Sequence, residues 1–271
     1  MSNLKFPGAR VKGQHLGIKL DGRSTALYFP TRENMGMIKL LWGGHLTRPC
    51  VPHSHEICCM KYIDISPLIS EQIAVFPGDC SFKREISLDF VKGDNLLLSS
   101  IQSTVHLGSH TDAPSHYHPQ GKSIAEVSLD YYLGLCQVIN ISKQPGTRIY
   151  TEDIKNVTIQ AERILFKTGS FPNPEQWNSD FNSLSPELIN YLAQQNVILV
   201  GIDTPSIDPE ESQALESHAA VYQNKMAILE GVVLDNVDPG LYTLIALPLK
   251  IKDADATPVR AILICTEETS L

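Results

Sequence analysis

The sequence lacks the features of membrane, secreted and nucleic-acid-binding proteins. No apolar run in its 271 residues approaches the roughly 20 residues that cross a bilayer, and no signal-peptide-like apolar stretch follows Met1. Positive charge is also scarce: 22 Lys and Arg stand against 30 Asp and Glu, a net charge of −8, whereas phosphate binding depends on basic residues. We therefore expect a cytoplasmic protein with no membrane and no nucleic-acid partner.

The six cysteines lack the spacing of a disulfide framework. With a reducing compartment expected, we interpret them as thiols, several of them buried. A group of metal-ligand types also occurs early in the chain, at His53, His55, Cys58 and Cys59. Because the two cysteines are adjacent, they lack the two-residue gap of zinc knuckles, and the pattern disfavours a zinc site there.

No internal repeat, low-complexity tract or Pro/Ser-rich linker divides the chain, but its charge is uneven. Residues 1–59 carry a net charge of +5, and residues 60–271 a net charge of −13. No steady helical or strand period precedes Met60. We therefore predict an N-terminal extension, 1–59, that is poorly structured or lies upstream of the functional start, and one domain at 60–271.

A chain shortened to begin at Met60 is expected to fold and to keep its activity and bound metal. Metal analysis and an activity assay on the two lengths, side by side, check this expectation. Aggregation of the shortened chain, or loss of a third equivalent of zinc, would instead make the segment an integral part of the protein.

The chemistry of the sequence is concentrated in one stretch of eleven residues that contains three imidazoles and one carboxylate, types that zinc selects. They are His106, His110, Asp112 and His116. A straight strand would separate positions four apart by about 13 Å, and Gly108 and Pro114 oppose a continuous helix. We therefore predict a bend at these two residues that lets the side chains converge; the alternative is a polar loop with solvated histidines.

This stretch resembles the His-x-Gly-Thr-His-x-Asp-x-Pro-x-His signature of the metal-dependent cyclase-like hydrolases, and most of all the bacterial kynurenine formamidases. Ser109 replaces the usual Thr and keeps a hydroxyl. The resemblance spans about residues 60–264 and includes Asp64–Pro67, Phe76–Asp79, Tyr132–Gly134, Gly201–Ser206 and Ala227–Gly231. It implies an α/β fold, a single mixed-sheet domain of the swivelling β/β/α type, and a homodimer.

The resemblance also implies a binuclear site for two zinc ions, although Mn²⁺ or Co²⁺ would accept the same ligand types. His106, His110 and Asp112 would hold the first ion, and Asp112 would bridge to a second ion held by His218 and Glu230. Glu230 lies in an apolar run, where an unpaired carboxylate is costly. Taken alone, a satisfied core histidine and a surface glutamate are the ordinary alternatives for these last two residues.

His116 is left free of the ions and would be the catalytic residue. An imidazole ionises near neutral pH, so it can take a proton from water and deliver it to a departing amine. In the formamidases, an aromatic residue before this Pro-Gly-Asp turn, usually Trp, stacks on the substrate. Phe76 has that position here, so the resemblance implies that Phe76 binds the substrate. Trp177 and Phe171 are further candidates for the aromatic wall. His118 matches no motif position, and we interpret it as solvated or as a neighbour of the ligands.

The function implied by the resemblance is that of an arylformamidase, a metal-dependent amidohydrolase. It would convert N-formyl-L-kynurenine, an aryl formamide, to L-kynurenine and formate in tryptophan breakdown by the kynurenine pathway. Two alternatives stay open: a relative that acts on another aryl or cyclic amide, as isatin hydrolases do, and a non-catalytic metal-binding relative. Retention of His116 argues against the second, since that residue has no binding role here.

Local patterns predict individual elements around these residues. Ile86–Phe90 alternates apolar and polar residues, as a half-buried strand does. Ser185 is a typical N-cap for a helix with Pro186 at its first position. Ser212–Gln223 is a candidate helix that contains His218.

Overall fold

The computed structural model describes residues 61–265 and two short strands near the N-terminus. The chain divides into two units, Met1–Glu56 and Ile57–Leu271. In the first unit, β1 (Lys19–Leu20) pairs antiparallel with β2 (Arg23–Ser24). The rest of the predicted extension, with its histidine and cysteine group, lies outside the described residues, so the boundary at Met60 stays a prediction.

The second unit contains thirteen strands and three α-helices among its described residues. In chain order they are β3 (Tyr62–Asp64), β4 (Lys83–Leu88), β5 (Leu98–Gln102), β6 (His110–Asp112), α1 (Pro114–Tyr117), β7 (Leu133–Asn140), β8 (Arg148–Ile149), β9 (Arg163–Lys167), β10 (Ser183–Leu184), α2 (Pro186–Gln194), β11 (Leu199–Ile202), α3 (Glu216–Gln223), β12 (Ala227–Leu229), β13 (Gly240–Ile245), β14 (Ala256–Pro258) and β15 (Ile262–Cys265). Short 3-10 helices lie at Phe90–Lys92, Ile124–Glu126, Leu129–Tyr131 and Thr151–Ile154.

A seven-stranded mixed sheet organises the unit, in the order β12-β11-β9-β7-β13-β15-β3. The first four strands run parallel to one another, and β13, β15 and β3 continue the sheet in antiparallel register. Separate two-stranded pairs join β4 to β5, β6 to β14 and β8 to β10. The predicted mixed α/β architecture is confirmed.

Strands β9 and β11 of the sheet are buried on both faces, and successive side chains along each strand point in opposite directions. On β9, Ile164 and Phe166 pack in the core that α2 and α3 cover, whereas Leu165 packs in the core on the other face. On β11, Val200 and Leu199 divide in the same way. Such burial on both faces is typical of parallel strands, whose sequences are nearly continuous runs of apolar residues.

Of the two helices predicted from the sequence, one begins where it was expected and the other begins later. The Ser185 side chain accepts a hydrogen bond from the Leu188 N–H, and Pro186 is the first residue of α2, as predicted. The helix that contains His218 begins only at Glu216, four residues later than predicted. The preceding Leu215 has a left-handed backbone conformation with φ of +47°. Helix propensities of the residues do not predict this break in the helix.

The burial predicted for the strand near Ile86 is wrong. A strand is present as β4, but it pairs only with β5, and five of its six residues are exposed. Every residue of β5 is exposed as well, including Leu98 and Ile101. The alternating pattern therefore marks a two-stranded hairpin with apolar side chains at its surface.

The described cysteines are free thiols, namely Cys80, Cys136 and Cys265, and of these only Cys136 is buried. Burial raises the pKa of the Cys136 thiol to about 12, which keeps that sulfur protonated and unreactive at neutral pH. Within residues 61–265, no helix is long and apolar enough to cross a membrane.

Candidate metal centre

Strand β6 places two of the predicted ligands on the same side of the chain. His110 and Asp112 are two residues apart, so their side chains share one face, and Thr111 points the other way. The Thr111 hydroxyl donates to the Ile228 carbonyl at 2.6 Å. That contact anchors β6 to the main sheet and leaves its other face free for chemistry.

A tight bend brings His106 back toward β6. Gly108 has φ of +57°, and a Cβ there would lie 3.1 Å from the Pro67 ring. Gly231, with φ of +65°, approaches so closely that a Cβ would lie 2.2 Å from the Gly108 carbonyl oxygen. Only glycine fits such a left-handed, crowded backbone. The structure confirms the bend predicted at Gly108, and Pro114 begins α1 instead of a further bend.

Glu230 reaches the same place through a direct backbone bridge. His110 and Glu230 exchange two backbone hydrogen bonds, of 2.9 and 3.1 Å, at the end of β12. Residues paired in this way carry neighbouring side chains, and His110 Nε2 lies 3.2 Å from Glu230 Oε2. The other carboxylate oxygen of Glu230 accepts the Ile207 N–H at 2.7 Å.

Helix α3 supplies His218, and a buried carboxylate holds its ring in place. His218 Nδ1 donates to Asp208 Oδ2 at 2.8 Å, and Asp208 also accepts the backbone N–H of His218. Arg148 binds the other Asp208 oxygen at 2.9 Å. Burial disfavours the Asp208 charge, yet its contacts with His218 outweigh that effect and lower its pKa to about 2.

The five predicted ligands converge on one small volume, in which Asp112 is central. Asp112 Oδ1 lies 3.0 Å from His106 Nδ1 and 3.5 Å from His110 Nε2. Asp112 Oδ2 lies 3.4 Å from His218 Nε2, which is 3.7 Å from Glu230 Oε1. Two ligand atoms bound to one tetrahedral zinc at 2.0–2.1 Å are about 3.3 Å apart. The separations between these donor atoms are therefore close to those of ligands that share a cation.

Two further observations fit bound cations. Asp112 Oδ1 is buried and, among residues 61–265, makes no hydrogen bond of good geometry, although His106 Nδ1 lies 3.0 Å away; such an arrangement is costly without a positive charge nearby. In each ligand imidazole, the ring nitrogen that does not face the other ligands donates a hydrogen bond elsewhere. His110 Nδ1 donates to the Gly108 carbonyl, His106 Nε2 to Asp255 and His218 Nδ1 to Asp208. Such partners fix the tautomer that leaves the other nitrogen free for a metal.

Among the described residues, three groups of side chains could each hold an ion. They are His106–His110–Asp112, Asp112–His218–Glu230 and His106–His116–Asp255. The first two match the predicted binuclear set, which shares Asp112 as the bridge. The third would use the imidazole predicted to be catalytic.

The metal-free site holds protons strongly. Burial alone would lower the pKa of His106, but the carboxylates of Asp112 and Asp255 outweigh burial and raise it to about 9. Burial likewise opposes the charge of His218, and Asp112 and Asp208 raise its pKa to about 10. The same imidazoles overcome the effect of burial on Asp112 and hold its pKa well below its usual range. A cation therefore has to displace protons from this site.

Binding of Zn²⁺ to the metal-free protein is expected to release about one proton per ion or more near neutral pH. Protonated imidazoles compete with the ion below their raised pKa values, so the apparent affinity should rise as the pH increases from about 6 to about 9. Isothermal titration calorimetry in two buffers of different ionisation enthalpy counts the protons. A zinc affinity that does not change over this range would contradict the expectation.

A cavity of about 430 Å³ lies over the candidate ligands and has an aromatic wall. Phe76, Phe171 and Trp177 all line it. Trp177 packs edge-on against both phenylalanines, with ring centroids 5.2 Å from Phe76 and 5.8 Å from Phe171. The residue predicted to contact substrate and its two alternatives are therefore neighbours. His118 lies apart from them and stacks on Tyr222 at 3.8 Å.

The structure thus brings together every residue predicted for the site, while their roles as ligands, catalyst and substrate contact stay predictions. Sequence reasoning missed Asp208 and Asp255, the two carboxylates that orient imidazoles. Neither has a local signal: Asp208 lies ten positions before His218, and Asp255 is 139 positions after His116. Their importance is visible only from hydrogen bonds across the fold.

Comparison with known proteins places this fold among hydrolases. The model of the cyclase family, described as "Putative cyclase", matches residues 63–209. A solved structure of a potential metal-dependent hydrolase with cyclase activity is 27% identical, with a TM-score of 0.67 over 77% of this chain and 99% of that chain. A predicted metal-dependent hydrolase from Bacillus stearothermophilus is 28% identical, with a TM-score of 0.66 over 76% of this chain and 98% of that chain.

A third similar structure is isatin hydrolase A from Labrenzia aggregata, bound to benzyl benzoate. It is 23% identical, with a TM-score of 0.67 over 77% of this chain and 94% of that chain. At this identity the likeness shows the fold alone. Together these structures confirm the predicted fold class, a mixed-sheet α/β domain of the cyclase-like type.

Proposed function

Because this chain belongs to the cyclase family, we propose that it is an arylformamidase that hydrolyses N-formyl-L-kynurenine. The coarser assignment, a metal-dependent hydrolase of that family, follows from the family match and from the neighbours of 27% and 28% identity. One observation carries the finer proposal: three imidazoles and two carboxylates converge at a cavity with an aromatic wall.

The proposed reaction divides between bound cations and this chain's own residues. Divalent ions in the site would polarise the formyl carbonyl and lower the pKa of water toward neutrality. His116 Nε2 points toward the ligands, 4.0 Å from Asp112 Oδ2, where it can take one proton from the attacking water. It returns that proton to the aryl nitrogen as the carbon–nitrogen bond breaks, so formate and a free aryl amine leave.

The cavity supports an aryl substrate by its shape and composition. Phe76, Phe171 and Trp177 offer ring faces and edges for an aromatic body. The carboxylates of Asp79 and Asp235 also line the cavity and are suited to the α-ammonium group of kynurenine. No Lys or Arg side chain lines the cavity in the described part of the chain, so a substrate carboxylate finds no cationic side chain there.

That last observation favours a second candidate, the hydrolysis of an uncharged cyclic amide such as isatin. An uncharged ring needs the aromatic wall and the metal centre but no partner for a carboxylate. The fold shared with isatin hydrolase A is compatible with this candidate. The two candidates differ in the bond that breaks, since an exocyclic formamide releases formate and a ring amide releases nothing.

A side-by-side comparison of the two substrates tests the proposal. Zinc-loaded protein is incubated with N-formyl-L-kynurenine and, separately, with isatin, and formate and ring opening are measured. We expect kcat/KM for the formamide to exceed that for isatin by about tenfold or more, or ~1.4 kcal/mol. Faster turnover of isatin would favour the second candidate, and chelator-treated protein serves as the blank.

The aromatic wall gives a prediction about substrate binding. Phe76 is 41% exposed and lines the cavity, and loss of a ring contact is worth about 1 kcal/mol. Phe76→Ala is therefore expected to raise KM for an aryl formamide roughly fivefold with little change in kcat, and Phe76→Trp should be tolerated. Steady-state kinetics check this, with Phe90→Ala, an exposed ring outside the cavity lining, as the matched control. An unchanged KM in Phe76→Ala would show that Phe76 does not contact the substrate ring, and Trp177 would be the first alternative contact.

The assembly and cellular context belong to the same proposal. We place the reaction in the kynurenine pathway of tryptophan breakdown, in the cytoplasm, and the active form is a homodimer. The exposed apolar side chains of the β4–β5 hairpin support a second copy as the partner, because a lone two-stranded sheet is only marginally stable in water. Light scattering on the purified chain measures its mass.

A further inference from the structure

Asp255 is held at the edge of the metal centre by its own backbone. It directly precedes β14, which pairs with β6, and its carbonyl accepts the Ala113 N–H at 2.7 Å. The neighbouring Ala254 carbonyl accepts the Ile124 N–H at 2.9 Å. These two hydrogen bonds tie the segment to the chain on either side of α1. They fix the position of the Asp255 backbone, from which its side chain extends.

One oxygen of this carboxylate contacts two imidazoles. Asp255 Oδ2 lies 3.2 Å from His116 Nδ1 and 3.0 Å from His106 Nε2, and the two rings are 4.2 Å apart. An ionised carboxylate only accepts hydrogen bonds, so both imidazoles present an N–H to it. The hydrogen on His116 Nδ1 leaves Nε2, the nitrogen that faces Asp112, with its lone pair.

We propose that Asp255 is a positioning residue, which fixes the Nδ1–H tautomer and the ring orientation of His116. The inference rests on the proposed function for its kinetic consequence, because His116 can accept a proton at Nε2 only in that tautomer. A carboxylate behind a catalytic imidazole plays this part in other hydrolases, where it orients the ring without taking the proton itself. By holding His106 through the same oxygen, Asp255 also aligns the catalytic imidazole with a metal ligand.

A cation held by His106, His116 and Asp255 is the competing interpretation of the same three side chains. It would occupy the His116 nitrogen that donates to Asp255 and would add a metal equivalent that depends on Asp255. The two interpretations therefore differ in metal content as well as in the state of the His116 ring.

The test compares Asp255→Asn, Asp255→Ala and Asp255→Glu with the unaltered chain, all saturated with Zn²⁺. Asp253→Asn is the matched control, because Asp253 is two positions away and its side chain is 79% exposed. Metal content is measured by elemental analysis. Nitrogen-15 spectra of histidine-labelled protein report each ring tautomer, and His116→Ala identifies the His116 signals by their absence.

We expect the Asn and Ala variants to keep their metal content, to lose the single Nδ1–H pattern of His116, and to show kcat reduced about 10–100-fold with KM nearly unchanged. The Glu variant should recover part of both. An unchanged His116 tautomer, or the loss of a whole zinc equivalent, would overturn the proposal. The spectra and metal content need no substrate, so they decide the role of Asp255 even if the unaltered chain hydrolyses neither amide.

Discussion

Asp112→Asn is expected to lose most of the bound metal. Both oxygens of Asp112 face imidazole nitrogens, Oδ1 toward His106 and His110 and Oδ2 toward His218. An amide keeps the shape but replaces one oxygen by an NH₂ group, which carries no charge and cannot bind a cation. Elemental analysis after dialysis should therefore find well under half of the zinc that the unaltered chain retains.

The matched control for this variant is Asp235→Asn, which removes another carboxylate from the lining of the same cavity. Asp235 belongs to none of the metal-binding groups found among the described residues, so its metal content should be unchanged. Full metal content in Asp112→Asn would remove the bridging assignment and leave two independent sites or a single ion. Thermal unfolding of both variants shows whether a loss of metal reflects a loss of fold.

His116→Ala is expected to keep its metal and to lose about 10²–10⁴-fold in kcat, the range for removing a general acid–base group. The imidazole is the most exposed of those at the site, and its Nε2 stands 4.0 Å from the nearest Asp112 oxygen. That separation is longer than a direct hydrogen bond, so the imidazole is not held by Asp112. Metal analysis and steady-state kinetics with N-formyl-L-kynurenine measure the two effects separately.

His118→Ala is the control for the catalytic variant, since His118 is two residues away and packs on Tyr222 outside the cavity lining. Its kcat should stay within about twofold of the unaltered chain, as for most changes away from the reacting atoms. A metal-poor His116→Ala protein would make His116 a ligand, consistent with the third group of candidate metal ligands. The mechanism would then need a different proton carrier.

Local sequence features determined a good part of the candidate site. The bend at Gly108 follows from a backbone conformation that glycine adopts at low cost, and the start of α2 follows from Ser185 and Pro186. The spacing of His110 and Asp112 places both on one face of any strand. These predictions depend only on a few neighbouring residues, so they could be made without the fold.

Resemblance extended the prediction where local physics could not. Nothing in the spacing of His218 and Glu230 requires them to meet His106, since more than a hundred residues separate them. The family pattern identified them, and the structure shows how they arrive: Glu230 through its backbone bridge to His110, and His218 through Asp208.

Only the tertiary structure decided which groups orient the imidazoles and which apolar residues are covered. Asp208 and Asp255 gain their roles from contacts made across the fold, with a ring on α3 and with two rings beside β6. The exposure of β5 likewise could not be predicted from its apolar residues, because a strand is buried only if another layer packs on it. The sequence by itself determined the residue types of the site and the bend at Gly108, whereas the pairing of β6 with β14 and the backbone bridge from His110 to Glu230 decided which residues meet.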